Sequence, residues 1–122
     1  MQIINCTPHP IRIYSKDTPD TVADVETGVT LELPPSGQFA RLAEKVTSED
    51  TATVDGVKVP VAEVSYAEVQ GLPEPHPAKR YVVPLVTALA ARGRDDLLTP
   101  YDQVRNTEGA VVGCRRLGRV VG

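Results

Sequence analysis

Apolar and polar residues alternate with a period of two over several short stretches of this 122-residue chain. The alternation is cleanest in Val29-Thr30-Leu31-Glu32-Leu33, and β-branched residues recur at Ile3-Ile4 and at Ile11-Arg12-Ile13. A period of two places successive side chains on opposite faces of an extended chain, so these stretches predict β-strands. Turns rich in proline and glycine separate the strands, as in Pro34-Pro35-Ser36-Gly37.

The middle of the chain predicts a β-hairpin. Asp55-Gly56 lies between two valine-rich stretches, and both residues tolerate the positive φ that a two-residue hairpin turn requires. Gln38 to Thr47 alternates without a cleanly apolar face, which indicates an edge strand or a strand that lines a ligand site. We expect a polar turn at Ser48 to Thr51. After Asp55-Gly56 the apolar positions change from odd to even numbers, which predicts a bulge or bend near Pro60.

The stretch from Arg80 to Pro100 predicts a strand followed by the chain's one helix. Tyr81-Val82-Val83 is typical of a buried strand, and Pro84 suits the first position of a helix. The helix is expected over about 84–92 and ends at Gly93. Its predicted core face is formed by four residues at helical spacing: Leu85, Val86, Leu89 and Ala90.

The remaining segments predict connections and a second hairpin. Three prolines between Gly71 and Pro77 predict an extended connection. The residues from Val104 to Leu117, with a turn at Asn106 to Gly109, predict a terminal hairpin. Gly113 interrupts its second strand, as glycines do at bulges or at close approaches of two backbones.

Composition agrees with many short elements. The chain has 11 prolines and 9 glycines but one Phe and no Trp, and its length suits one domain over 1–122. We therefore predict a mostly β member of the α+β class, with an antiparallel sheet or a partly open barrel and one short helix. The first residues, MQIINC, lack the features of a secretory signal, and no apolar run is long enough for a membrane span, so a cytoplasmic location is expected.

The net charge of −3 is unevenly distributed along the chain. Through His76 there are twelve acidic and five basic side chains, and from Pro77 onward there are four acidic and eight basic ones. The basic third either neutralises the acidic part or gathers around an anion. An acidic chain without a basic run that contains aromatic residues makes nucleic acid an improbable partner.

Metal binding and catalysis find little support in the sequence. Cys6 and His9 have a ligand-like spacing that His76 and Cys114 could complete, but a single CxxH is a weak signal. The alternative is that both cysteines are buried free thiols, and we predict no metal or other cofactor. The chain has no Gly-x-Ser-x-Gly motif and no phosphate-binding loop. Arg94-Asp95-Asp96 is more typical of an ion pair or helix cap than of a catalytic pair.

Several segments together resemble a group of small uncharacterised proteins of bacteriophages and of actinobacterial prophages. The resemblance covers most of the chain, and it implies a phage-accessory setting without an established activity. The segments that carry it are INCTPHPIRIY, PPSGQFARL, GLPEP, RYVVPLVTALAARGRDDLLTP and VRNTEGAVVGCRRL.

The charge pattern and this resemblance predict a protein that binds a nucleotide-like anion and, as a possible homo-oligomer, sequesters a host defence signal. Arginines can pair with phosphate, aromatic rings can stack on a base, and the prolines around His9 present its imidazole rigidly. Two alternatives remain open. The protein could be an inhibitor of a host defence protein or a structural subunit without a small ligand, or it could be a hydrolase that uses Asp95 or His9. The predicted ligand residues are Arg80, Tyr81, Arg115, Arg116, His9, Phe39 and Arg41.

Overall fold

The computed structural model describes residues 1–91 and 93–121, which form nine strands and one helix. Four strands precede a long hairpin, one strand lies between the hairpin and the helix, and two strands follow the helix. The bounds are β1 Gln2–Asn5, β2 Ile11–Tyr14, β3 Thr21–Val22, β4 Val29–Leu33, β5 Arg41–Val54, β6 Val57–Gln70, β7 Lys79–Val82, α1 Leu85–Ala90, β8 Leu97–Asn106 and β9 Val111–Gly118.

Seven strands form one sheet in the order β1-β7-β8-β9-β2-β4, with β3 paired to β8. The two ends of this sheet approach each other, because Asn5 at the end of β1 bridges to Pro35 just after β4. The Ser36 amide donates to the Asn5 carbonyl at 2.9 Å, and Asn5 Nδ2 donates to the Leu33 carbonyl at 3.0 Å. The result is a nearly closed, barrel-like sheet with one short helix, which confirms the mostly β, α+β prediction.

The pairing within this sheet is mixed. β8-β9 and β2-β4 are antiparallel, whereas β1-β7, β7-β8, β2-β9 and β3-β8 are parallel. Parallel pairs join segments that are distant in the chain: Gln2 lies opposite Lys79. Such pairs leave no signal in local sequence patterns, because no turn connects their two strands.

The core contains small and medium-sized side chains packed inside the sheet. Tyr14, Val82, Val83 and Val104 are fully buried. The two cysteines are also buried and free, and they lie in different clusters, Cys6 beside α1 and Cys114 against Ile11 and Val82. Burial raises the pKa of both thiols.

Several predicted details are confirmed. The strand Val29–Leu33 has the predicted bounds, and the terminal hairpin is formed by β8 and β9. Gly93 has φ +96°, in the left-handed region, but the helix ends before it, at Ala90 with Ala91 as the C-cap. A Cβ at Gly113 would lie 2.5 Å from the Arg12 carbonyl oxygen, so this glycine marks a close approach of two backbones.

The predicted orientation of the helix is wrong. The helix extends over Leu85–Ala90 and buries Thr87 and Ala88, while residue 92 of the predicted range lies outside the described residues. The large side chains face outward, with exposed fractions of 53% for Leu85, 56% for Val86 and 41% for Leu89. The side chains of Thr87 and Ala88 are small enough for the helix to pack closely on the sheet. The face that carries them is therefore the buried one.

Two predictions in the middle of the chain are also wrong. No turn occurs at Ser48 to Thr51, because β5 continues through these residues to Val54 and β6 pairs with it throughout. No irregularity occurs at Pro60, and the nearest shift in pairing lies between Val46 and Ser48 on the other strand. The hydrogen-bonded partner strand holds the polar residues of β5 extended, against their local preference for a turn.

Candidate functional site

A long two-stranded hairpin extends from the barrel-like sheet and, among residues 1–91 and 93–121, pairs with none of its strands. We call residues Arg41–Gln70, which comprise β5, β6 and the turn between them, the arm, and the remaining described residues the body. Each arm strand has 14 residues, which corresponds to about 45 Å at 3.3 Å per residue. Within the arm only Leu42, Ala43 and Val69, all near its base, are partly buried, and every other residue is exposed.

The turn at the end of the arm determines its register. Asp55 has φ +50° and Gly56 has φ +78°, the combination of a two-residue turn whose twist matches that of a hairpin. Val54 and Val57 are therefore directly opposed, and pairing continues from them to Arg41 and Gln70 at the base. This confirms the hairpin that Asp55-Gly56 predicts.

One face of the outer half of the arm is apolar. Residues that lie directly opposite each other in an antiparallel pair share a face, and the pairs here are Val54 with Val57, Ala52 with Val59, and Asp50 with Val61. We call the five apolar members of this face the valine stripe: Ala52, Val54, Val57, Val59 and Val61. The opposite face is more polar and contains the pairs Thr53 with Lys58 and Thr51 with Pro60.

At a bulge at Thr47, the apolar residues of the arm change from one face to the other. Val46 pairs with Val64 and Ser48 pairs with Glu63, so β5 has one extra residue at this point. Because β6 remains regular here, Val64 and Tyr66 lie on the face opposite Val61. The apolar residues of β6 therefore change from odd to even positions without any break in the strand. One face of the arm is apolar in the outer half, and the other face carries Val64 and Tyr66 closer to the body.

A second exposed apolar surface lies on the body. Leu85, Val86 and Leu89 of α1 are exposed, and Leu85 lines a groove with Tyr101 of β8. We call these four residues the body patch. The groove has a volume of about 420 Å³, and Gly118, Arg119 and Val120 form its other wall. The guanidinium carbon of Arg116 lies 5.1 Å from the centre of the Tyr101 ring, within the range of a cation–π contact.

The predicted ligand residues do not converge on one site. Tyr81 lies opposite Leu97 on β8, whereas Arg116 lies opposite Tyr101. Arg80 and Arg116 are therefore about five residues apart along β8, or about 17 Å. The Tyr81 ring is buried and its hydroxyl donates to the Glu74 carbonyl at 3.3 Å.

Arg115 is engaged in a network within the body. Its guanidinium donates to the Thr18 carbonyl at 2.6 Å, to Asp20 and to Asp102 at 2.7 Å. Hydrogen bonds from Arg115 lower the pKa of Asp102, and the two carboxylates raise the pKa of Arg115. Asp102 has φ +63°, a strained conformation for a residue other than glycine, which this network stabilises.

The remaining predicted residues lie at separate places. His9 is exposed in the connection between β1 and β2, Phe39 is exposed just before the arm, and Arg41 is the first residue of β5. Arg80 is partly buried, and its Nη1 donates to the Lys79 carbonyl. The ligand-binding role of all seven residues stays a prediction.

The Arg94-Asp95-Asp96 cluster forms an ion pair, one of the two structural roles that the sequence predicted. Arg94 donates to both carboxylate oxygens of Asp96 at 2.8 Å and to the Pro73 carbonyl at 2.8 Å. These hydrogen bonds lower the pKa of Asp96 and raise that of Arg94. Because Pro73 belongs to the connection that follows β6, Arg94 ties the returning chain of the arm to the body.

Three further results concern metals, membranes and known proteins. Within residues 1–91 and 93–121, no three His, Cys, Asp or Glu side chains lie close enough together to hold a metal ion. In the same ranges no helix has the length and apolar character that crossing a membrane requires. Comparisons of the chain with protein-family models, with curated proteins and with solved structures find no match.

The sequence analysis did not predict that β5 and β6 form one long, exposed hairpin. The odd-numbered valines of β6 were visible in the sequence, but the predicted turn at Ser48 to Thr51 removed their partner strand. A signal was available, because Asp55-Gly56 specifies a two-residue turn, and paired strands extend equally far from such a turn in both directions. Extending the hairpin symmetrically from its turn would have found both strands.

Proposed function

We propose that this protein is a non-enzymatic interaction protein that binds another protein surface with its arm. The observation that carries the proposal is the valine stripe, a row of apolar side chains exposed along a hairpin that extends away from the body. This corresponds to the structural-subunit or inhibitor alternative that the sequence left open. The phage-type resemblance and the expected bacterial cytoplasm give the setting in which we place it.

The energetics of a free hairpin support this proposal. An isolated two-stranded ribbon is marginally stable in water, because no third strand or helix covers its apolar face. Both outer edges of β5 and β6 also have unpaired backbone groups, which are suited to pairing with another chain. A protein surface that covers the valine stripe would bury this apolar face, and a strand of the same partner could also pair with an edge of the ribbon, whereas a small ligand would cover only a fraction of a 14-residue ribbon.

The experiment is affinity co-purification from a bacterial host that carries the related prophage. Wild-type protein is compared with Val59→Asp/Val61→Asp, which places charge on the valine stripe, and with Thr51→Asp/Thr53→Asp on the opposite face. We expect one protein, which can be a second copy of this chain, to be retained by the wild type and by the threonine variant. The valine variant should lose it. Equal retention by all three proteins would contradict the proposal.

Nucleotide binding is the second candidate, and one arrangement favours it. Arg116 and Tyr101 are both exposed and form a cation–π pair beside a groove lined by Leu85, Pro100 and Gln103. A base could stack on Tyr101 while Arg116 contacts phosphate. Isothermal titration with mononucleotides, dinucleotides and cyclic nucleotides tests this function. We expect binding that Tyr101→Ala weakens, and the absence of heat with any of these nucleotides would exclude it.

A further inference from the structure

Two exposed apolar surfaces lie on different parts of the same chain, the valine stripe on the arm and the body patch on α1 and β8. We propose that the valine stripe of one copy binds the body patch of a second copy, so that each copy donates one arm and accepts one. This inference rests on the proposed function, because it names the protein that the arm binds.

The charges beside the two surfaces are opposite in sign. From Ser48 to Glu63 the arm carries four acidic side chains and one basic side chain, and pairing places Asp50 and Glu63 on the face of the valine stripe. Arg116 and Arg119 line the grooves next to the body patch. Asp102 also lies there, but its carboxylate accepts a hydrogen bond from Arg115 and lies 3.4 Å from Arg116 Nε. Contact between the two surfaces therefore brings acidic groups of the arm to arginines of the body.

The valine stripe cannot contact the body patch of its own chain. Val61, the member nearest the body, is nine residues before Gln70, or about 30 Å from the base of the arm. The ribbon is paired from Arg41 to Val54, with shifts in pairing at Thr47 and between Leu42 and Glu44 that bend and twist it locally. All five members of the valine stripe are exposed, so none of them packs on the body of its own chain. The contact is therefore between copies.

Charge disfavours the simpler alternative in which two arms pair with each other. The arm has three basic and six acidic side chains, a balance of −3, which equals the net charge of the whole chain. Two arms in contact would therefore repel each other, and most strongly near the acidic outer half. A contact between two different surfaces is heterologous, and repetition of such a contact gives either a closed ring or an open chain.

The test measures the mass of the full chain in solution by light scattering and sedimentation equilibrium. The donor variant is Val59→Asp/Val61→Asp, the acceptor variant is Leu85→Asp/Leu89→Asp, and the matched control is Thr51→Asp/Thr53→Asp. All three change exposed positions and add the same charge. We expect the wild type and the control to have a multiple of 13.1 kDa, and the donor and acceptor variants to have the mass of one copy.

Mixing the donor and acceptor variants gives the decisive result. The donor variant retains an intact body patch and the acceptor variant retains an intact valine stripe, so together they can form one interface. We expect a one-to-one dimer from two proteins that are each monomeric alone. A contact that uses the same surface on both copies would not be restored in this way, and a mixture that stays monomeric would overturn the proposal.

A charge exchange tests the same contact with smaller changes, and it applies even if the acceptor variant fails to fold by circular dichroism. Arg116→Glu should weaken self-association about tenfold, which corresponds to about 1.4 kcal/mol. Asp50→Arg should restore it when the two substitutions are combined. Weakening without any restoration would contradict the proposed pairing of the acidic face with Arg116.

The outcomes separate this inference from the proposed function. If the wild type is monomeric at the highest concentrations that sedimentation reaches, and another protein is retained through the valine stripe, the inference fails and the proposed function stands. If the wild type is monomeric and nothing is retained through the arm, both fail.

Discussion

The strands of the body and the strands of the arm contain the same residue types but bury them to very different degrees. Val82, Val83 and Val104 of the body are fully buried, whereas the four valines of the valine stripe are 41–62% exposed. Removing a valine side chain fully from water contributes about 1.5–3 kcal/mol to folding, so each buried valine of the body gains this free energy and each valine of the arm gains only part of it. The difference shows that the apolar content of a strand does not establish what covers it.

The largest effect is expected where the two regions are joined. Arg94→Ala removes the hydrogen bonds to Asp96 and Pro73 and leaves the buried Asp96 carboxylate without its partner. We expect the free energy of unfolding to fall by about 3 kcal/mol, measured by urea denaturation. Arg105→Ala is the matched control, because the Arg105 side chain is exposed and donates to the Gly109 carbonyl and to Gln103, away from Asp96, and its effect should be below about 0.5 kcal/mol. Equal losses in the two variants would contradict the role of Arg94.

The same substitution in both regions tests the comparison directly. Val104→Ala leaves a cavity in the buried core, and we expect a loss of about 2 kcal/mol in the free energy of unfolding. Val59→Ala should change it by less than about 0.5 kcal/mol in the monomer, because this side chain is exposed. Urea denaturation at low protein concentration measures both values. A large loss for Val59→Ala would mean that the arm contributes to the stability of its own chain.

Acid should destabilise the body through its two arginine-paired carboxylates, Asp96 and Asp102. Arg94 lowers the pKa of Asp96 and Arg115 lowers that of Asp102, so both carboxylates stabilise the fold above their ordinary pKa of about 4. This contribution is lost as the pH falls through the lowered values. We expect the urea midpoint to decrease as the pH is lowered from about 5 to about 3, and Asp96→Asn should make this decrease shallower.

The arm supplies the control for this pH dependence. The ion pairs found among residues 1–91 and 93–121 all lie outside the arm. Asp50→Asn should therefore leave the slope of the urea midpoint against pH as it is in the wild type. An equal flattening by Asp50→Asn would indicate an electrostatic contact between the arm and the body.

The smallest effect concerns one glycine with positive φ in each of two hairpin turns. Gly56 ends the arm with φ +78°, Gly109 lies in the body turn between β8 and β9 with φ +86°, and a Cβ would meet no atom within 4 Å at either position. Each change to Ala should cost about 1 kcal/mol through backbone strain. Gly109→Ala should lower the urea midpoint, whereas Gly56→Ala should only increase hydrogen exchange of amides near Val54 and Val57. A lower urea midpoint for Gly56→Ala would show that the arm unfolds together with the body.

Local patterns predicted what local interactions determine. Asp55-Gly56 specifies its hairpin turn, and the alternating residues Val29–Leu33 form a strand with the predicted bounds. The large apolar residues of α1 misled the prediction, because spacing identifies a face but not which face the sheet can accommodate. Thr87 and Ala88 are small enough for close contact, and that is a property of the packed structure.

The predicted ligand residues lie apart because pairing between strands that are distant in the sequence determines their positions. Whether Arg80 meets Arg116 depends on how β7 and β9 are placed along β8, and no pattern within either segment specifies that register. The sequence does not indicate the partners of Arg115 either. Asp20 lies near the other end of the chain, and Asp102, which accepts a hydrogen bond from Arg115, has φ +63°. The valine stripe, in contrast, follows from one turn and a period of two.

The position of the arm between β4 and β7 also has a consequence for the order of folding. Hairpins form in about 1–10 μs from adjacent residues, whereas β1 must wait for β7, which follows the arm in the chain. During synthesis the arm is therefore available before the body can close. The body patch lies on α1 and β8, which are made still later. In the proposed assembly, a newly made chain would thus offer its arm to a finished copy before it could accept one, and the assembly would grow in one direction.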